Sequence, residues 1–187
     1  YAVSRGAMSL AVLSMLGAFL APAFAIADPG AAVVYGYYVG ASLLTLVLVL
    51  LRGWHPLIHL SFLFTLGGGV FFAWTAKYYT GADAGVMLPM LLLLSAIHVA
   101  MPILEKSTPR ASWTVRADLI YTIALPSVAA MLTVLLAANR PDLATALVVL
   151  GVIWGVAALG YLATRKEGVA AHATIAALLV MLGVATQ

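Results

Sequence analysis

Seven runs of almost wholly apolar residues fill this chain of 187 residues, and nearly every charge sits in the short gaps between them. Each run is about twenty residues long, enough for a helix to cross the hydrocarbon core of a bilayer. Lipid offers no partner to backbone N–H and C=O groups, so only helices and closed barrels can span it. The runs are continuous rather than alternating, and they are about twice the length that a membrane strand needs. The chain is therefore expected to be all-α, a polytopic transmembrane helical bundle of about seven spans. Hydropathy places the spans at 8–26, 31–51, 57–76, 86–104, 117–138, 143–163 and 169–187, as a single transmembrane domain. Turn chemistry fills the gaps, as in Asp28-Pro29-Gly30, Arg52-Gly53-Trp54-His55-Pro56 and Asn139-Arg140-Pro141-Asp142. Connections this short make consecutive helices antiparallel neighbours.

Composition excludes several classes. Of all residues 65% are hydrophobic and 8% are charged, where a soluble domain carries roughly a quarter charged. The net charge of +3 comes from basic residues flanking apolar runs. No basic stripe with interleaved aromatics invites nucleic acid, so the expected partners are the lipid bilayer and further transmembrane helices of the same chain or of other subunits. Zero cysteines exclude disulfides, iron–sulfur clusters and thiolate metal sites.

Lysine and arginine are retained on the cytoplasmic side of a membrane. Alternating spans put Arg5, Arg52, Lys106, Arg110, Arg116, Arg165 and Lys166 on one side, and only Lys77 and Arg140 on the other. The first residues and the 105–116 loop are thus expected in the cytoplasm. Trp54, Tyr78, Tyr79 and Trp113 lie where an interfacial aromatic belt belongs. The opening run from Arg5 to Ala25 mimics a signal peptide, but it is long enough to span. A start at Tyr1 rather than Met, and an end inside or just beyond the last apolar run, suggest a segment of a longer membrane protein.

Helices in lipid gain nothing from burying apolar surface against one another, so small residues that allow close backbone approach should mark the seams. Gly36 with Gly40, Gly151 with Gly155, and the run Gly67, Gly68 and Gly69 are the candidate packing positions. Pro126, near the middle of the fifth span, frees the carbonyl of Thr122 and is the expected kink. A faint internal echo links Pro29 through Arg52 with Pro141 through Arg165, at nearly equal spacing.

Charge deep in a span would be the strongest functional signal, and no Asp, Glu, Lys or Arg occupies such a position. No catalytic residue, cofactor or resident metal is expected on that basis. The four histidines, His55, His59, His98 and His172, all fall toward the expected cytoplasmic half. His55 and His59 are four apart, a spacing that chelates metal on one helix face if Pro56 leaves both in the helix. A metal or proton-handling cluster, or a haem between His59 and His98, is the chemical reading; interfacial and packing histidines are the structural one. Ser14, Ser42, Ser61, Ser95 and Ser127 lie in apolar runs without an identifiable base, where hydroxyls bond to the helix backbone or across a seam.

The pattern Leu16-Gly17-Ala18-Phe19-Leu20-Ala21-Pro22, then Tyr35-Gly36-Tyr37-Tyr38, a long apolar run and Arg52-Gly53-Trp54, resembles a family of large bacterial inner-membrane proteins known as domain of unknown function 2339. The motif covers about the first third of the chain, and the remainder is similar in hydropathy and loop length. The resemblance implies a longer, many-helix parent in the bacterial inner membrane and carries over no catalytic residue. His55 and His59 depart from the basic or aromatic residues expected in that turn.

Three functional readings follow. The leading one is a non-enzymatic membrane domain serving as scaffold or subunit of a cell-envelope assembly. The alternative is part of a transporter, channel or lipid-handling conduit, which would line a cavity with Thr122, Ser127 and the glycine faces. The third is a membrane enzyme using the cytoplasmic-side histidines, which would bring His59, His98 and His172 together.

Overall fold

A computed structural model of the chain describes residues 2–24, 30–67, 81–104, 112–137, 142–164 and 169–186, with side chains at 2–7, 23, 31, 81–84, 112–119 and 137 outside that description. Among the described residues every regular element is helical. Helix α1 covers Ala2–Leu20 and tightens into a 3-10 turn at Ala21–Phe24; α2 covers Ala31–Arg52 and α3 covers Pro56–Phe62. Then follow α4 (Gly81–Leu104), α5 (Ser112–Ala137), α6 (Asp142–Ala163) and α7 (Val169–Ala185). Three stretches are long and apolar enough to cross a membrane, Ala32–Arg52, Gly85–Leu104 and Asp142–Ala163. Four shorter apolar helices accompany them, Met8–Leu20, Pro56–Gly67, Ile120–Leu136 and Val169–Ala185.

Local chemistry explains several boundaries. Helix α2 stops at Gly53, whose left-handed φ of 65° lets its N–H return to the Val49 carbonyl at 2.8 Å. Pro56 opens α3, where its missing N–H leaves no intrahelical bond unmade. Instead of continuing as an α-helix, α3 widens into a π turn at Leu63–Gly67, which hydropathy does not reveal. The last carbonyls of α1 are satisfied from α2: Tyr37 donates its hydroxyl to Ala18 at 2.6 Å, and Tyr38 donates to Phe19 at 3.3 Å.

Helix α4 is the hub. It packs on α2, α5 and α6, and it buries Leu91, Leu94, Ser95, Ile97, His98 and Met101 on more than one face. Chain neighbours are not always the main spatial partners, since α2 packs more extensively on α4 than on α1 or α3. The outside of the bundle is greasy, with Leu10, Leu51, Leu159 and Met181 each more than three-fifths exposed. Soluble proteins rarely present contiguous apolar surface of this kind, whereas lipid solvates it.

The closest seam is the α6–α7 hairpin. A Cβ on Gly151 would stand 2.6 Å from Val180 Cγ2 and 3.0 Å from the Ala176 carbonyl oxygen. One on Gly183 would stand 2.9 Å from the Ala144 carbonyl oxygen. Contacts that ascend α6 as they descend α7 make the pair antiparallel. Gly155 faces Ala176 at 4.0 Å, and Gly160, which sequence reading passed over, would meet Ile103 of α4 at 3.1 Å. Gly36 approaches only Met90, at 4.0 Å, and Gly40 faces open space, so this pair makes no close seam. Gly67 ends the π turn against Leu63, while Gly68 and Gly69 lie outside the described residues.

Three prolines lie within continuous helices. Helix α5 runs uninterrupted through Pro126, and α4 runs through both Pro89 and Pro102. Because α4 starts at Gly81 rather than near Val86, Pro89 is an interior proline as well. Glu105, Lys106, Arg110, Lys77, Arg140, Arg165 and Lys166 lie outside the described residues, as do the side chains of Arg5, Arg116 and Asp118.

Candidate functional site

The polar centre of the bundle is His98, wholly buried on α4. Its Nδ1 stands 2.8 Å from the carbonyl oxygen of Leu94, one turn back on the same helix. A carbonyl only accepts, so Nδ1 carries the proton and the neutral ring presents Nε2 as an acceptor. Two hydroxyls from α3 and its π turn reach that nitrogen, Ser61 at 3.1 Å and Thr65 at 3.2 Å. Thr65 donates its one proton to the Ser61 carbonyl at 2.7 Å, which leaves Ser61 as the hydroxyl that donates to Nε2, with Thr65 Oγ1 packed beside it. With the Ser61 proton directed at His98, the 3.4 Å contact between Ser42 and Ser61 is a donation from Ser42 of α2. Through Ser61, α2, α3 and α4 are joined in one polar chain that ends on the imidazole.

The backbone of the same residue completes the site. Pro102 lies four residues beyond His98 and has no N–H, so the His98 carbonyl loses its normal helical donor. Tyr121 of α5 supplies the replacement, its hydroxyl donating to that oxygen at 2.7 Å. The tyrosine is held by rings on α3: its ring centroid is 5.2 Å from that of Phe62 and 5.6 Å from that of His59, both edge-on. His55 extends this stack, 5.1 Å from His59.

Of the four histidines, His55, His59 and His98 therefore join one connected stack through Tyr121 and Phe62. His172 sits elsewhere, stacked on Tyr161 within the α6–α7 hairpin at 4.4 Å. Among the described residues no three His, Asp or Glu side chains are placed to hold a metal ion. Phe62 packs edge-on to the His98 ring at 6.5 Å and, with Tyr121, stands between His59 and His98, where a macrocycle would need room.

A serine hydroxyl on an imidazole whose far nitrogen is fixed is also the arrangement of a nucleophile and its base. Here Ser61 and His98 are both at 0% exposure. The groove between α4 and α6, about 320 Å³, is lined by Ala96, Ala100, Ile103, Val156 and Gly160 among other apolar residues. At about 100° per residue these α4 positions lie on the opposite face of the helix from His98. Ser95 and Ser127 bond back to the carbonyls of Leu91 and Ile123 in their own helices.

Sequence reading noted each of these serines and His98 but not their pairing, and it missed Thr65 and Tyr121. One signal was available: the four-residue step from His98 to Pro102 announces a carbonyl in need of a donor. The donor's identity depends on how α5 packs, which spacing does not disclose.

Greasy outer faces, membrane-length helices and a polar centre satisfied from within define an integral membrane protein of the polytopic helical class. The chain matches the family described as Predicted membrane protein (DUF2339) over residues 1–187, and it belongs to that family. The likeness first visible between Leu16 and Trp54 thus extends over the whole chain. No curated protein and no solved structure matches it.

Proposed function

We propose that this chain is a non-enzymatic domain of the bacterial inner membrane, a scaffold or subunit that presents its apolar faces to further transmembrane helices of a cell-envelope assembly. The orientation that goes with this reading puts the first residues and the 105–116 loop in the cytoplasm. One observation carries it: both ring nitrogens and the carbonyl of His98 are occupied by groups of the protein itself. Such closure favours a fixed arrangement of helices over a path for solute. The α4–α6 groove suits an acyl chain or a helix ridge, since its lining is apolar.

The test is photo-crosslinking in native membranes from Leu13, Val156 and Leu159, all exposed on the outside of the bundle. Discrete protein adducts at one or more of these positions are expected; lipid adducts alone at all three would remove the scaffold reading. A fluorophosphonate probe gives a second check. Labelling of Ser61 that vanishes in His98→Ala would replace the scaffold by a hydrolase.

A further inference from the structure

We infer that the groove between α4 and α6 is a binding site for one acyl chain of an anionic glycerophospholipid, whose headgroup meets the basic residues that follow the two helices. The inference rests on α4 and α6 crossing the bilayer and is independent of the scaffold reading.

Small residues make the groove and larger ones edge it. Ala96 and Ala100 on α4 are half-buried and offer one methyl each, while Leu104, Val152 and Val156 stand more than half exposed beside them. At Gly160 the floor is sealed by Ile103, whose Cγ2 stands 3.1 Å from where a Cβ would be. Ala96 and Val152 line the same groove about two turns earlier on their helices. The two helices therefore run parallel, and both finish at the same end of the groove.

Length favours an acyl chain over a helix as the occupant. From Ala96 to Leu104, and from Val152 to Gly160, the lining extends about 12 Å along each axis. One leaflet of the hydrocarbon core is about 15 Å deep. A helix lying along the groove would run through both leaflets, whereas the lining covers only one. A chain that enters from the headgroup end matches both that length and the apolar lining.

Charge selects the class of lipid. The connections that continue α4 and α6, 105–111 and 165–168, carry Lys106, Arg110, Arg165 and Lys166 against Glu105 and Glu167. Toward the opposite ends of the same helices, Lys77 and Arg140 are balanced by Asp83 and Asp142. Chain connectivity alone keeps the Cα of Lys106 within about 7 Å of that of Leu104, and Arg165 directly follows Thr164. Basic residues at the membrane end of an interhelical groove draw anionic headgroups.

The test uses the full chain, purified away from partner helices and reconstituted in phosphatidylcholine vesicles. These carry a trace of either phosphatidylglycerol or phosphatidylcholine with a diazirine in the acyl chain. Adducts are mapped at Val156 and, for reference, at Leu44, which is exposed on α2 at a similar distance before Arg52. Relative to Leu44, phosphatidylglycerol should label Val156 in roughly fivefold excess over phosphatidylcholine, the ratio that one additional basic residue at the headgroup gives. Lys106→Gln combined with Arg165→Gln should remove the excess, as should Ala100→Leu, which fills the floor and leaves every charge in place. Constant labelling at Leu44 reports that the variants remain folded, and the double neutralisation changes no residue that lines the groove. Equal ratios at Val156 and Leu44 in the unmodified chain would overturn the site, since only ordinary boundary lipid would then be present. An excess that survives the neutralisation would overturn the role of charge, and one that survives Ala100→Leu would put the lipid outside the groove. Labelling at Leu44 with none at Val156 from either probe would give the groove to a second copy of the chain. A lack of protein adducts in native membranes bears on the scaffold alone.

Discussion

Pro102 creates a vacancy at the His98 carbonyl, and Tyr121 fills it. Tyr121→Phe keeps the ring contacts with His59 and Phe62 but removes the donor, leaving a buried carbonyl unsatisfied. The expected loss is about 1–2 kcal/mol, read by SDS titration of the protein in mixed micelles. Pro102→Ala returns an N–H to α4, so in that background the same tyrosine substitution should cost less than about 0.5 kcal/mol, a coupling that a double-mutant cycle measures. Equal costs in both backgrounds would show that Tyr121 acts through its ring alone. This site was partly legible beforehand: His98, Ser42, Ser61 and Ser95 all stood out as polar residues in apolar runs. Their convergence was not, because a lone histidine in a span reads the same whether it faces lipid, a cavity or two hydroxyls.

Seams between helices follow from where glycine removes a Cβ, and glycine spacing alone misjudges them. Gly151 and Gly40 each belong to a GxxxG pair, yet one abuts the backbone of α7 and the other faces open space. Gly151→Ala and Gly183→Ala should each destabilise the protein by about 1–3 kcal/mol, because the added methyl meets backbone atoms that cannot move aside singly. Gly40→Ala should stay within about 0.5 kcal/mol of the parent. The same SDS titration separates the two outcomes, and a cost at Gly40 equal to that at Gly151 would contradict the geometry. At the end of α2, Gly53→Ala forces a side chain into the left-handed region and should cost about 1 kcal/mol. Alternation of small residues says which helices could approach closely; which of them do so depends on crossing geometry that arises only when all the helices pack.

Across the whole chain, the proposed orientation makes a direct prediction. A cysteine introduced at Ser107 should react with an impermeant maleimide only after the membrane is opened, and one at Asn139 should react in intact cells; the reverse pattern would invert the topology. Apolar runs, basic gaps and turn residues sufficed to establish a helical membrane protein, because transfer of a segment into lipid is a sum over its own residues and needs no knowledge of neighbours. The same additivity cannot yield the π turn at Leu63–Gly67, the hub role of α4 or the meeting of Ser61, Thr65 and Tyr121 on His98. Those features are properties of pairs and triples of helices. In a medium that rewards no particular apolar contact over another, close packing and a few interhelical hydrogen bonds choose the partners, and both come into existence only with the assembled bundle.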